Sequence, residues 1–298
     1  MGKGTLFRTC LFLVAAALLV LARAPHADET LGVSCLPTLV EQGGVCLVTA
    51  WGAPSLESAH GEFRGEGFPM VPMGEDGLFR GLIGIDMDTE AGTYPLEVLA
   101  RDGRQIPCRV VSSLQVERAA FGIQRLTLPR SQVDLDPQTL ERVQEEATRI
   151  GTLLKGYRDE RFWKGRFISP VEGEVTSPFG MRRILNGQER SPHTGVDLGV
   201  PEGTAVVACN HGVVVLVDEL FFSGKTIVLD HGWGIYSMYS HLSRPMIKSG
   251  DRVKKGEVIA LSGSTGRVTG PHLDWRIRLN GARVDPLSIL QLAGHLEE

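Results

Sequence analysis

Three histidines and two aspartates in the last third of the chain have the types and spacing of a metal-assisted hydrolase. His193 and Asp197 are four residues apart, His272 and Asp274 are two apart, and His241 stands between the pairs. Imidazole and carboxylate suit a catalytic zinc, which takes three protein ligands and keeps one position for water. Gly195, with Pro192 and Pro201 nearby, argues against a helix around the first pair and for a turn leading into a strand. On a strand, His272 and Asp274 share one face while Leu273 and Trp275 point into the core. The same alternation places Tyr239 and His241 together on another strand. Taken singly, each residue has an ordinary role, as a hydrogen-bonded core histidine or a turn aspartate. Taken together, five buried polar groups without partners are costly, so their joint presence points to a site. His211 and His231, each followed by Gly, read as turn residues, and His60 as a surface side chain. Gly263 to Gly270 lacks the Gly-Lys-Ser/Thr ending of a phosphate loop and reads as the approach to the His272 strand.

The elements that must position these residues are mostly strands. Beyond about residue 166, runs such as Val206 to Ala208, Gly212 to Val217, Thr226 to Leu229, Ile235 to Tyr239, Val258 to Leu261 and Leu273 to Ile277 are separated by Gly-containing turns. They predict an antiparallel β-sheet core over 166–291 whose loops carry the site, with a helix only at 286–292. Before it, 118–165 reads as a linker with a helix. Asp136 can cap it, Pro137 suits its first position, and Leu140, Val143, Ala147, Ile150, Leu153, Leu154 and Tyr157 recur at helical steps. This amphipathic helix is a packed connector or, over 137–157, a docking face for a protein partner. Residues 29–117, with short β-rich runs between Gly-rich turns, read as a small Ig-like β-sandwich. The fold class is therefore mostly β.

The 298 residues are 42% hydrophobic, enough for one large or two modest cores. A net charge of −4 gives no electrostatic reason to expect nucleic acid. Residues 1–27 have the order of a secretory signal: Lys3 and Arg8, an apolar run from Leu11 to Ala22, then Ala22-Arg23-Ala24. The run is too short to span a bilayer comfortably, so no stable membrane insertion is expected after cleavage, and the protein should be exported to the periplasm or cell envelope. In that oxidising setting one disulfide is expected among the N-terminal cysteines Cys35, Cys46 and Cys108, with Cys209 free and buried.

With these motifs in order, the chain resembles the lysostaphin-type, LytM-like peptidoglycan endopeptidases. The resemblance rests on the segment from Phe167 to Arg182, on His193-Thr-Gly-Val-Asp197, Gly203 to Ala208, Leu229-Asp-His-Gly232, Tyr239-Ser-His241-Leu, Gly250 to Gly256 and Thr269-Gly-Pro-His272-Leu. It covers about residues 166–291. It implies a β-sheet core, one zinc, and cleavage of peptide cross-links in the bacterial wall. By motif, His193 and Asp197 match the first two zinc ligands, and His241 and His272 match the histidines that activate water and stabilise the transition state. The family's last motif is His-x-His, and the third-ligand position here is Asp274. Aspartate can ligate zinc, while its added charge favours harder ions such as manganese. Phe179, Arg182, Arg183 and Trp233 are candidate walls of the substrate groove. The competing reading is a non-catalytic relative that binds the wall or activates another wall hydrolase.

Overall fold

Short runs of β-branched and aromatic residues, cut by glycine turns, fold here into two large sheets. The computed structural model describes residues 31–52, 56–74, 77–102, 106–127, 135–158 and 160–292; the expected signal segment 1–27 lies outside the described residues. The first sheet holds β1 (Gly32–Leu36), β2 (Leu39–Glu41), β3 (Val45–Trp51), β4 (Leu56–Phe63), β5 (Glu66–Met73), β6 (Leu78–Gly84), β7 (Gly92–Asp102) and β8 (Pro107–Glu117). Their order is β1-β3-β6-β5-β4-β7-β8-β2. β5 changes partner midway, pairing with β4 up to Met70 and with β6 from Val71. Val48, Phe79 and Ile83 thereby pack with Phe68, Leu96 and Leu114 in one apolar cluster.

A short strand β9 (Ile123–Leu126) and the helix α1 (Pro137–Leu153) follow. Asp136 caps the helix, accepting from Thr139 N at 2.9 Å. Its end is held by apolar packing of Ile150, Leu153 and Leu154 on Leu220, Val228, Tyr236 and Met238, and its middle by polar contacts, Glu146 accepting from Phe221 N at 2.9 Å, whereas Leu140 is 45% exposed.

Then come β10 (Glu174–Ser177), β11 (Arg182–Leu185), β12 (Gln188–Arg190), β13 (Val196–Gly199), β14 (Ala205–Val207), β15 (Gly212–Leu220), β16 (Gly224–Asp230), β17 (Ile235–Pro245), β18 (Arg252–Val253), β19 (Val258–Ser262), β20 (Leu273–Leu279), β21 (Ala282–Val284) and α2 (Pro286–Gln291). The second sheet runs β10-β13-β20-β17-β16-β15-β18, with β19 on β17, β14 on β19 and β21 on β20. β9, β11 and β12 form a separate small sheet in which β9 runs parallel to β11.

The two large sheets share a core. Val45, Leu47, Leu82 and Met87 join Trp163, Trp233, Leu279 and Val284 in one cluster. Beside it, Arg283 donates to both oxygens of Asp86, at 2.6 and 2.9 Å, and to Asp88 at 2.6 Å. Paired, bidentate contacts of this kind fix orientation as well as adding energy.

Two sequence expectations change here. The expected N-terminal disulfide is absent, since the four described cysteines are free thiols. Cys35 lies opposite Val48, which sets it diagonally to Cys46 across the β1–β3 pair. Cys209 is free and buried, and burial pushes its thiol up to about 11. His231 is not a turn side chain but a core histidine. Its Nδ1 donates to His211 O at 2.7 Å, and its Nε2 accepts from the Ser237 hydroxyl at 2.7 Å.

Burial lowers the His231 pKa to about 4, below the ordinary value of 6.5 that an unfolded chain regains. The unfolded state therefore takes the proton first, and this contribution is complete above about pH 6.5 and lost as pH falls toward 4. The loss is on the order of 3 kcal/mol. Urea midpoints at pH 7 and pH 4.5 check it: His231→Gln should lose less stability between the two than the parent, and equal losses would count against it.

Candidate metal centre

Strands β13, β20 and β17 lie side by side, and one row of paired residues crosses them. Asp197 stands opposite Asp274, and Asp274 opposite Ser240. Directly paired residues share a face of the sheet. The neighbouring row, Val196, Trp275 and Tyr239, takes the other face and is fully buried. Leu273 and Trp275 thus enter the core while Asp274 turns to the site.

His241 reaches that face by breaking the alternation. The pairing of β16 with β17 slips between Lys225↔Leu242 and Ile227↔Tyr239, leaving Ser240 and His241 opposite Thr226 alone. His241 takes φ +64° in this bulge, a left-handed conformation uncommon for residues other than glycine. The expectation that Tyr239 and His241 share a face is therefore corrected. Tyr239 stays in the core, its hydroxyl accepting from Cys209 N at 3.0 Å.

Each histidine is anchored the same way. Nδ1 of His193 faces Pro178 O at 3.3 Å, that of His241 faces Thr265 O at 2.8 Å, and that of His272 faces Gly270 O at 2.8 Å. A carbonyl only accepts, so each Nδ1 carries the proton and each Nε2 keeps a lone pair. The three Nε2 atoms turn to the aspartates. His193 Nε2 is 3.0 Å from Asp197 Oδ1 and 3.5 Å from Asp274 Oδ1. His272 Nε2 is 3.7 Å from Asp197 Oδ1, and His241 Nε2 is 3.9 Å from Asp274 Oδ2. The loop from Gly263 to Gly270, read as an approach to the His272 strand, supplies two of the three anchoring carbonyls.

One nitrogen of His193 and one oxygen each from Asp197 and Asp274 lie within 4.8 Å of one another. His193 Nε2 and Asp197 Oδ1 are buried and make no hydrogen bond despite their proximity, as expected of two acceptors turned to a common point. These donors fit a divalent cation such as zinc. Burial opposes a charge on His193, yet the two carboxylates outweigh it and raise its pKa. On His241 burial prevails and lowers the pKa to about 4, which leaves that imidazole neutral at pH 7.

Asp274 has a further partner that the motifs do not include. Arg276, two residues on along β20, puts Nε 3.0 and 3.1 Å from the two carboxylate oxygens, with Nη2 also on Oδ2. Burial raises the Asp274 pKa, but the guanidinium more than offsets this and holds the carboxyl well below the usual range. Residues two apart on a strand share a face, so the spacing was there to be read. Ser240, in the row of the aspartates, was also missed.

A cleft of ≈ 90 Å³ opens beside the cluster, lined by Gln124, Arg183, Asp197, His241, Arg267 and His272. Of the candidate groove residues, only Arg183 lines it, with Nη2 3.7 Å from Asp197 Oδ2. Arg182, its neighbour on β11, lines a different hollow with Gln42 and Glu189. Phe179 is a core ring, 7% exposed and edge-on to Phe121. Trp233 is likewise buried, packed edge-on to Trp163. Both rings follow the ordinary preference of large apolar surface for the interior.

Residues 191–286 match the profile of peptidase family M23. The peptidoglycan DD-endopeptidase ShyA of Vibrio cholerae is 38% identical over 121 residues, 40% of this chain and 28% of that protein. The DD-carboxypeptidase/endopeptidase Mpg of Neisseria meningitidis is 40% identical over 128 residues, 42% of this chain and 30% of that protein. The chain thus spans about three-tenths of the length of these curated relatives. A crystal structure of a candidate M23 peptidase from Pseudomonas aeruginosa superposes with a TM-score of 0.64 at 29% identity, covering 84% of this chain and 94% of that one.

Gly195 makes room for the Asp274–Arg276 pair. A Cβ there would stand 2.4 Å from Arg276 Cγ, 2.5 Å from Trp275 O and 2.7 Å from Asp274 Oδ1. Because one of these atoms is backbone, Gly195→Ala should cost about 2 kcal/mol of unfolding free energy. A urea titration checks it, and an unchanged midpoint would contradict the packing described.

Proposed function

We propose that this chain, whose residues 191–286 match the profile of peptidase family M23, is a zinc metalloendopeptidase cutting peptide cross-links of bacterial peptidoglycan. The observation that carries the reading is the convergence of three Nε2 lone pairs on two buried carboxylates, each imidazole fixed from behind by a backbone carbonyl. The relatives named for peptidoglycan DD-endopeptidase activity support the substrate class.

In this reading His193, Asp197 and Asp274 hold the zinc. A zinc bound there supplies a Lewis acid and an acidified water. His241 is neutral and presents Nε2 toward the cluster, so it serves as the general base. The proton taken by His241 can return to the departing amine, and His272, whose ring centre is 4.8 Å from that of His241, would donate to the developing oxyanion or that amine once protonated on Nε2. Arg183 flanks the cleft on the substrate side. Residues 29–117 form an Ig-like domain that, through the shared core, sets the position of the catalytic domain over 166–291, with 118–165 as the linker. Among the described residues no helix is long and apolar enough to cross a membrane. With the signal segment expected at 1–27, the place of action is the periplasm or cell envelope.

One observation favours a second reading, in which the domain binds the wall or activates another hydrolase without chemistry of its own: Arg276 already engages both oxygens of Asp274. Purified protein incubated with intact wall sacculi separates the two. Release of soluble peptide fragments, stopped by a chelator, restored by zinc and reduced about 10²–10⁴-fold in His241→Ala, is the expected result. Wall binding without release and without bound metal would establish the second reading instead.

A further inference from the structure

Two aspartates in one metal site pose a problem of charge. With neutral His193, Asp197 and Asp274 bring a formal charge of −2, which offsets that of a divalent cation and weakens the electrophilic character a hydrolytic metal needs. The structure holds an answer within van der Waals contact. Arg276 is half-buried beside Asp274, grips both carboxylate oxygens, and has its stem seated in the space left by Gly195. Asp274 Oδ1 remains turned toward His193 Nε2 at 3.5 Å. The clamp therefore orients the carboxylate without withdrawing it from the cluster.

We infer that Asp274 and Arg276 act as one neutral donor unit, the guanidinium cancelling the carboxylate charge and fixing its orientation toward the metal. Arg276 is a positioning residue in this scheme. The inference rests on the metal-dependent reading above. Arg183, 3.7 Å from Asp197 and partly exposed, adds a further cation, but the parent and all the variants share it, so it does not alter their order.

Charge counting gives an order of zinc affinity. The parent site carries −1 when Arg276 is counted. Arg276→Gln makes it −2, Asp274→His makes it neutral and leaves the half-buried Arg276 without its carboxylate, and the double variant Asp274→His/Arg276→Gln returns it to −1. Competition of the metal-free full chain against a chromophoric chelator reads zinc affinity without reference to activity. Arg276→Gln should bind zinc most tightly, the parent and the double variant alike, and Asp274→His most weakly, with successive levels differing by at least about tenfold. Arg276→Lys, which keeps the charge but loses the bidentate grip, should stay within about threefold of the parent and guards against a folding defect in the Gln variant.

A merely structural role for Arg276 would leave the double variant no better than Asp274→His, and that result overturns the inference. So does a parent that binds no zinc while Arg276→Gln binds it, since the guanidinium would then be a block. Failure of the metalloenzyme reading has a different signature, with no zinc bound by any of the five proteins.

Discussion

The register between β13, β20 and β17 is the constraint on which the site depends. It sets Asp197, Asp274 and Ser240 in one row on one face and Val196, Trp275 and Tyr239 in the next row on the other. Because side chains alternate with a period of two, a slip of one residue in either pairing would carry an aspartate into the core and a tryptophan or valine into the site. The apolar row thus enforces the polar one. Trp275, with no exposed surface, cannot turn outward without opening the core shared by both large sheets.

Upon this row the histidines are added by irregular backbone. His241 comes by a bulge and a left-handed residue, His193 by a loop whose amide donates to Met181 O at 2.9 Å, and His272 by the residue just before β20 begins. What unites them is the carbonyl behind each ring. A main-chain acceptor decides the tautomer, and the tautomer decides that the free lone pair faces the carboxylates. The glycine-rich loop 263–270 has its composition for a steric reason. Gly266 adopts φ +77° and a Cβ on it would meet Gly224 N at 2.4 Å, so its backbone lies directly against the turn before β16.

Much of this was legible in the sequence because the residues concerned obey local rules. The five site residues announce themselves by type and spacing, β20 by strict alternation, and α1 by an aspartate cap followed by proline. The remainder depends on what local rules do not see. The bulge at His241 falls where β17, held on one edge by β16, changes partner on the other from β20 to β19, and no residue in Tyr239-Ser240-His241 marks it. Phe179 and Trp233 flank the motifs and so resemble groove walls in sequence, but their rings find a larger apolar surface inside. Arg276 lies just beyond the motif that ends at Asp274, although its position two residues on places it on the same face. The thiols of the N-terminal strands were expected to bridge on the strength of compartment alone, and pairing geometry is not contained in spacing.

At the centre of the proposed function is a divalent cation that one imidazole and two carboxylates, those of His193, Asp197 and Asp274, would hold. X-ray absorption at the zinc edge of the purified, zinc-loaded chain tests it directly. The expected spectrum shows one equivalent of zinc with light N/O donors at about 2.0–2.2 Å, no sulfur, and the outer-shell scattering of a single imidazole. Scattering from two or three imidazoles would show that His241 or His272 ligates in place of Asp274, and absence of bound zinc would rule out the metal centre.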